Sequence, residues 1–499
     1  MRVLIANRGE IAIRIMRTLR EMGIPSVAIY SDADRDALHP KLADQAIAIG
    51  GNAPAESYLD MAKVIAAAKE SGADAIHPGY GFLSERAEFA DECRKAGIRF
   101  IGPSPEAMRA LGGKIESKQI AVAAGVPITP GFFEPGATDT QLERAAMEIG
   151  FPVMLKASAG GGGRGMRAVH SQDGFSSALQ MARDEAVNAF GDGAMMVEKL
   201  VQQPRHIEVQ IIADEHGNVA PLFERECSIQ RRHQKLLEEC PSPLVEEHPE
   251  LWDGMREAAV SLIKKANYTG AGTCEFIVDP VTREFYFLEV NARLQVEHTV
   301  TEGVTGLDLV RLQIEVANGK TLKNLIPEFL DGDRRNLRGH CLEARIVAEN
   351  PAQNFLPSIG KILAWAEPRG VRVDTGFAAG SEVSSHYDSM IAKVITEAPD
   401  RAQCLERMVD ALEDFHVLGV HTNIAYLLDV VQHPEFASGN LDTGFLARHF
   451  EDWSGSGEVP AVIANLMAAA SLSSAGPTQC KEVSPSAWSD SSGWRNARA

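Results

Sequence analysis

The sequence predicts an α/β protein: a Rossmann-like parallel-sheet domain first, a central domain with a Gly-rich lid, and a smaller α+β domain last. Three observations predict it. Short apolar runs alternate with amphipathic stretches over the first hundred residues. A run of glycines joins two strand-like segments near residue 160. Two acidic strands flank a hairpin turn near residue 280.

Residues 2–6 (RVLIA) read as a buried strand, and Asn7-Arg8-Gly9-Glu10 opens an amphipathic helix to about Met22. Residues 26–30, 45–49, 73–77 and 99–102 are further strands, with helices over 58–70 and 85–96 between them. Such alternation implies a parallel sheet covered on both faces. The first turn lacks G-x-G-x-x-G, so no dinucleotide site is expected. His77-Pro78-Gly79-Tyr80-Gly81-Phe82-Leu83-Ser84-Glu85 follows a strand and precedes a helix. Taken alone, such a loop is more often a structural turn than a ligand site.

Residues 151–156 read as a strand ending in Lys156, which leads into ASAGGGGRGM and a second strand through Val169. Glycines let the backbone approach an anion and aim several N–H groups at it. Lys156 adds a point charge suited to phosphate. A flexible hairpin loop is the plainer alternative. No G-K-[ST] closes the run, so it is not a P-loop; a flap over a nucleotide fits better. Residues 195–200 and 205–212 are two more strands. The segment 224–235 (ERECSIQRRHQK) is dense in cations and amides. It reads either as a solvated charged loop or as an anion pocket facing carboxylates.

From Phe285 to His298 an aromatic run gives way to strict alternation. Glu289, Asn291, Arg293, Gln295 and Glu297 fall at every second position, with Val290, Ala292, Leu294 and Val296 between. In extended chain this places the polar groups on one face. A solvated strand face is the bland reading. Against it, the polar set mixes hard oxygen donors with a guanidinium, and the acidic strand 273–278 lies just upstream across a turn at 279–282. Pairing the two strands brings Glu275 near Glu289 and Asn291. That oxygen-rich site suits Mg2+ or Mn2+ carrying nucleotide phosphates.

Composition narrows the classes. At 499 residues, two to four domains are expected. With 49 Lys and Arg against 68 Asp and Glu, the net charge is −19, so neither nucleic acid nor an anionic membrane is an expected partner. The seven cysteines show no C-x-x-C pair or zinc spacing and read as reduced cytoplasmic thiols. No apolar run of 18 residues is present, and Met1 leads straight into a strand rather than a secretory signal.

KASAGGGGRGM, EKLVQQPRHIEVQ, ERECSIQRRHQK, GTCEF and FLEVNARLQVEH, in this order, closely resemble biotin carboxylase of the ATP-grasp superfamily. IANRGEIA, HPGYGFLSE, HCLEARIVAENP, FLPSIGKI and YDSMIAKVI match as well, so the resemblance covers about residues 1–450. It extends to the free-standing subunit of bacterial acetyl-CoA carboxylase and to the front part of acyl-CoA carboxylase α subunits. The division it implies is an N-terminal domain over 1–113, an ATP-grasp domain over 114–330 with its lid at about 131–203, a C-terminal domain over 335–450, and a flexible tail over 451–499.

The resemblance also implies roles. Lys114 and Lys156 would hold phosphates under Gly162 and Gly163 of the lid. Glu198, Lys199, Leu200 and Val201 would line the adenine, largely by backbone groups. His206, Gln230 and His233 would border ribose or phosphate, and Glu275, Glu289 and Asn291 would ligate two divalent metals. Lys235, Arg293 and the backbone of Val296 would bind bicarbonate. Glu297 would take its proton, and Arg345 would sit on the ureido oxygen of biotin. Carboxyphosphate would form and break down, and biotin would be carboxylated in the first half-reaction of an acyl-CoA carboxylase. Two positions depart from the family: Gly113, where Asp is usual, and Asn350, where an acidic residue is common.

No Ala-Met-Lys-Met-like biotinylation sequence is present. Biotin is therefore expected on a separate carrier or on a further part of the chain, with carboxyltransferase subunits as partners. A cytoplasmic homodimer is implied, with contacts near Arg17, Glu21 and Trp365. Residues 451–499 are rich in Ser, Ala and Gly and read as a linker, with one short helix possible over 460–471. Two other readings compete. One is a different ATP-grasp ligase joining a carboxylate to an amine, against which Arg345 and the RLQVEH element argue. The other is a nucleotide-binding regulatory subunit without catalysis.

Overall fold

The apolar runs of the N-terminal third pair in parallel: β1 (Val3–Ile5), β2 (Ser26–Tyr30), β3 (Gln45–Ala48), β4 (Ala75–His77) and β5 (Arg99–Phe100), in the order β3-β2-β1-β4-β5. The computed structural model describes residues 1–158 and 165–455, except for the side chain of Lys114. Gly162 and Gly163 of the expected lid, the helix expected over 460–471 and Cys480 lie outside the described residues. Successive side chains of β1 enter opposite cores. Val3 and Ile5 pack with Ile11, Ile15 and Leu19 of α1 (Gly9–Glu21), and Leu4 packs with Val64 and Phe89 of α2 (Met61–Ser71) and α3 (Ala87–Lys95). Coverage of both faces explains why this sheet reads as continuous apolar runs.

Two short helices follow, α4 (Pro105–Gly112) and α5 (Lys114–Ala123). The lid is an antiparallel sheet in the order β6-β9-β7-β8, from β6 (Gly131–Phe132), β7 (Val153–Ala157), β8 (Met166–Val169) and β9 (Met195–Lys199). Leu142 and Ala146 of α6 (Asp139–Ile149) and Leu179 and Ala182 of α7 (Phe175–Phe190) pack on it. As expected, the Gly run joins two antiparallel strands.

The largest sheet contains β10 (Arg205–Ala213), β11 (Val219–Arg231), β12 (Gln234–Cys240), β13 (Gly270–Val278), β14 (Phe285–Asn291), β15 (His340–Val347), β16 (Arg372–Thr375) and β17 (Met390–Ala398). Its order is β14-β13-β10-β11-β12-β15-β17-β16. The β12–β15 pairing runs from Leu237 opposite Ala344 to Cys240 opposite Cys341. Strands on either side of residues 330–335 thus share one hydrogen-bonded sheet.

One alternative is set aside and one expectation is corrected. The segment 224–235 is no solvated loop: it forms the end of β11, a tip at Arg232-His233 and the start of β12, with Arg225 fully buried. Carboxylates on neighbouring strands meet its cations, so the charged strand can be internal. The alternation from 289 to 297 is not one strand face either. β14 stops at Asn291, and Arg293, Gln295 and Glu297 lie on a turn into α8 (His298–Thr305). The backbone N–H of Ala292 donates to Glu85 at 3.1 Å and His298 Nδ1 meets the Gln295 carbonyl at 2.8 Å, contacts that bend the chain out of the sheet.

Close backbone approaches lock the N-terminal domain against this sheet. A Cβ on Gly376, just after β16, would lie 2.7 Å from the Gly9 Cα. Asn7 Nδ2 donates to the carbonyls of Pro78 and Tyr80, both at 2.7 Å, which fixes the His77–Glu85 loop. Gly79 takes φ +63 there, and a Cβ on it would lie 2.9 Å from Asn7 Nδ2. The six described cysteines are all buried and free. Among the described residues, no helix is long and apolar enough to cross a membrane.

Candidate active site

Strand register assembles the site. Arg225 on β11 lies opposite Glu208 on β10, Glu208 opposite Glu275 on β13, and Glu275 opposite Glu289 on β14. One row across the sheet therefore carries a guanidinium and three carboxylates. Like charges directly opposite each other repel, so the row requires more cations. Lys235 supplies one from β12. Its Nζ lies 2.6 Å from Glu208, 3.0 Å from Glu275 and 2.6 Å from Glu297. Arg345 supplies another from β15, with Nε donating to Glu238 at 2.5 Å and Nη2 to Glu297 at 2.9 Å.

These contacts fix the charge states. Burial pushes the Glu297 carboxyl up, but Lys235, Arg345 and Arg225 outweigh it and hold the group well below the usual carboxylate range. Glu275 is lowered the same way: burial is outweighed by Lys235 and His206. Lys235 is carried well above its ordinary value because Glu208, Glu275 and Glu297 overcome burial. Glu238 goes the other way, since burial outweighs Arg345, and its Oε2 is buried with no hydrogen-bond partner among the described residues.

Glu275 is saturated with donors: Asn291 Nδ2 at 2.8 Å, Gln295 Nε2 at 3.1 Å, Lys235, and His206 Nε2 at 2.9 Å. Gln230 Nε2 meets the other nitrogen of His206 at 3.4 Å. Arg293 pairs with Glu85 at 3.0 Å and donates to Asn291 Oδ1 at 2.8 Å. The Val296 carbonyl accepts from Lys393 at 2.8 Å. Glu275, Glu289 and Asn291 carry hard oxygen donors of the kind that suit Mg2+ or Mn2+, and a cation there would displace donors that now occupy Glu275 and Asn291. The Lys235 ammonium already stands among Glu208, Glu275 and Glu297, so that trio is a poor second cation site.

A cavity of about 1100 Å³ opens on this cluster. One end is an apolar slot of Met154, Met166, Met196, Ile277 and Leu288, beside Lys156 and the segment from Glu198 to Val201, where β9 ends. The other passes Arg293, Val296 and Arg345 to Tyr80, Phe377 and Tyr387. Typical single-ligand pockets span roughly 300–1,000 Å³, so this one has room for a nucleotide and a second reactant.

Most of the expected residues meet here: Lys156, Glu198, Lys199, Leu200, Val201, His206, Gln230, His233, Lys235, Glu275, Glu289, Asn291, Arg293, Val296 and Arg345 all border the cavity. Glu297 does not. It is fully buried behind Lys235 and Arg345. The Lys199 ammonium turns away to the Gly150 carbonyl at 2.8 Å, leaving its backbone to the slot. Lys114 begins α5. At Gly113 a Cβ would meet the end of the flexible Glu116 side chain, which would have to move to admit one.

Sequence reasoning missed Glu208, Glu238, Glu85 and Lys118. The period-two run Arg205–Ala213 signals Glu208 only once its register with Glu275 is known. Lys118 lies on α5, in no motif, yet it is buried, lines the cavity and pairs with Glu198.

Comparison with known proteins matches this architecture. Three family models cover the chain in order: "Biotin carboxylase, N-terminal domain" over residues 1–108, "Carbamoyl-phosphate synthase L chain, ATP binding domain" over 113–325, and "Biotin carboxylase C-terminal domain" over 343–448. The α subunit of methylcrotonoyl-CoA carboxylase from Rattus norvegicus is 48% identical over 454 residues, which is 90% of this chain and 62% of the relative. The chain thus spans about 62% of that relative's length. One of the pyruvate carboxylase subunits from Methanothermobacter thermautotrophicus is 47% identical over 447 residues, 89% of each chain. Among solved structures, the biotin carboxylase domain dimer of 2-oxoglutarate carboxylase from Hydrogenobacter thermophilus, in complex with MgADP, ADP and bicarbonate, has a TM-score of 0.86 at 42% identity. That match covers 92% of this chain and 99% of the other. The chain belongs to the biotin carboxylase family.

Proposed function

We propose that the chain uses ATP and bicarbonate to carboxylate biotin borne on a carrier, by way of carboxyphosphate. The observation that carries this is the shared cavity: metal-type carboxylates at Glu275 and Glu289 border the same space as Arg293, Lys235 and Arg345. Lys114 and Lys156 hold the triphosphate, with Gly162 and Gly163 as the flap. The segment from Glu198 to Val201 holds the adenine, and His206, Gln230 and His233 border the ribose or phosphates. Glu275, Glu289 and Asn291 hold the divalent cations, whose bound form neutralises charge spread over the transferring phosphoryl group.

Arg293, Lys235 and the Val296 backbone hold bicarbonate for in-line attack on the γ-phosphate. Bicarbonate is a poor nucleophile until it loses its proton, and Glu297, screened from the cavity by Lys235 and Arg345, receives that proton once bicarbonate has drawn those cations off it. Breakdown of carboxyphosphate releases CO₂ and phosphate. The phosphate then deprotonates the biotin ureido nitrogen, while Arg345 stabilises the enolate with charge-assisted hydrogen bonds. Guanidinium rather than ammonium suits the planar demands at 293 and 345.

The wider setting follows the relatives. We take the chain as the biotin carboxylase part of an acyl-CoA or related carboxylase, with a biotin carrier and carboxyltransferase as partners. The division at residues 1–113, 114–330 and 335–450 is part of this reading. It is also a homodimer, as is the Hydrogenobacter domain. Arg17, Glu21 and Trp365 mark the contact face, where Leu363 and Leu418 are 70% and 61% exposed. The cytoplasm is the proposed compartment. The Rattus relative is named mitochondrial, and fractionation of source cells distinguishes the two.

ATP hydrolysis, measured with and without bicarbonate and free biotin, tests the function. Turnover that needs bicarbonate and rises with biotin is expected. ATP turnover driven by an amine instead would favour the other ligase reading.

A further inference from the structure

Glu198 is one carboxylate with two cations. Its Oε1 takes the ammonium of Lys118, and its Oε2 takes that of Lys156 at 2.6 Å. The three come from α5, β9 and β7, and all line the nucleotide end of the cavity. Their settings differ. Lys118 is 4% exposed, with its ammonium 4.5 Å from the centre of the Phe133 ring. Lys156 is 15% exposed and sits at the base of the Gly run.

A phosphate that binds Lys156 competes with Glu198 for the same ammonium. A buried carboxylate that loses its cation is strongly destabilised. With both cations in place the Glu198 carboxyl is ionised: burial pushes it up, but Lys156 and Lys118 hold it down at about 2. The second cation decides whether Lys156 can leave.

We propose that Lys118 is the standing counter-ion of Glu198, whose presence frees Lys156 to engage the triphosphate. The inference rests on the proposed phosphate role of Lys156. Lys118 is on this view a positioning residue that sets nucleotide affinity and takes no part in the chemistry. Adenosine separates this role from a merely structural one, since it enters the same slot but brings no phosphate to Lys156.

The test is calorimetric binding of MgATP and of adenosine to the full chain, with steady-state kinetics alongside. K118M should weaken MgATP by roughly a hundred- to a thousandfold, the scale of stranding a buried charge. It should raise KM for ATP similarly, and leave kcat within about threefold and adenosine affinity within about twofold. K118M/E198Q removes the charge that retains Lys156 and should recover most of the lost MgATP affinity. K118R should bind MgATP like the unmodified chain. If K118M does not fold, K118Q takes its place in the same assays. Unchanged MgATP affinity in the single variant, equal losses for adenosine and MgATP, or no recovery in the double variant would overturn the proposal. Failure of the unmodified chain to bind MgATP would overturn the nucleotide reading itself, and this proposal with it.

Discussion

Glu297 and Glu302 lie five residues apart, and each meets two cations, but in opposite settings. Glu297 pairs with Lys235 and Arg345, both of which border the large cavity. Glu302 pairs with Arg14 at 2.6 Å and Arg372 at 2.8 Å, in a network that also includes Asp308 and Asp374. That second network joins α1 to α8 and β16 and does not border the cavity. Lys393 stands between the two. Its Nζ donates to the Val296 carbonyl and lies 3.7 Å from Glu10 and 3.8 Å from Glu343. The same chemistry thus serves two ends. Cations that face a cavity can exchange a carboxylate for a substrate oxygen. Cations sealed between elements can only hold those elements together.

The largest expected effect falls on the cavity side. Arg345→Ala and Glu297→Gln should each lower biotin-dependent carboxylation by about a thousandfold or more, since they remove charge stabilisation from the reacting groups. MgATP binding by calorimetry should survive in both. Full turnover in both would erase the distinction between the two networks.

The sealed side should respond in stability. Arg14→Ala leaves Asp308 without its cation and Glu302 with Arg372 alone, and should cost about 3 kcal/mol in denaturant unfolding. Turnover per folded molecule should stay close to that of the unmodified chain. A large loss of kcat without loss of stability would move this network into the catalytic machinery.

A smaller effect comes from pH, with opposite signs at two buried carboxyls. Burial pushes Glu239 up, but Arg401 and His340 hold it at about 2, below its unfolded value of 4.5. Its stabilising contribution is complete above the unfolded value and is lost as pH falls towards 2. Glu10 is raised to about 7 by burial, against the pull of Lys393. Asp374 and Glu343 also push it up and Arg372 pulls it down, while the Tyr80 hydroxyl donates to it. Its folded form holds a proton more tightly than the unfolded chain, so its favourable contribution is present below 4.5 and lost as pH rises through 7. Glu10→Gln should therefore raise stability by about 1–3 kcal/mol at alkaline pH and by less at pH 5. Glu239→Gln should flatten the acid limb. Urea unfolding at several pH values checks both.

How much of this was legible in the sequence follows from which forces act locally. The N-terminal sheet was readable because strands covered on both faces keep unbroken apolar runs. The pairing of Glu275 with Glu289 was readable because a turn at 279–282 sets the register of its two strands. The end of β14 was not, because the alternation continues through Glu297 while contacts with Glu85 and within the turn redirect the backbone. The charged strand around Arg225 reads equally as a loop or as a pocket wall because its compensating carboxylate, Glu208, comes from another strand. Lys118 was invisible because its partner is 80 residues away.

The most direct test of a single site coupling phosphate to a one-carbon acid is the fate of oxygen. With bicarbonate labelled throughout with ¹⁸O and MgATP in ordinary water, the proposed route predicts one labelled oxygen in each phosphate released during biotin-dependent turnover. Phosphate carrying only solvent oxygen would contradict it.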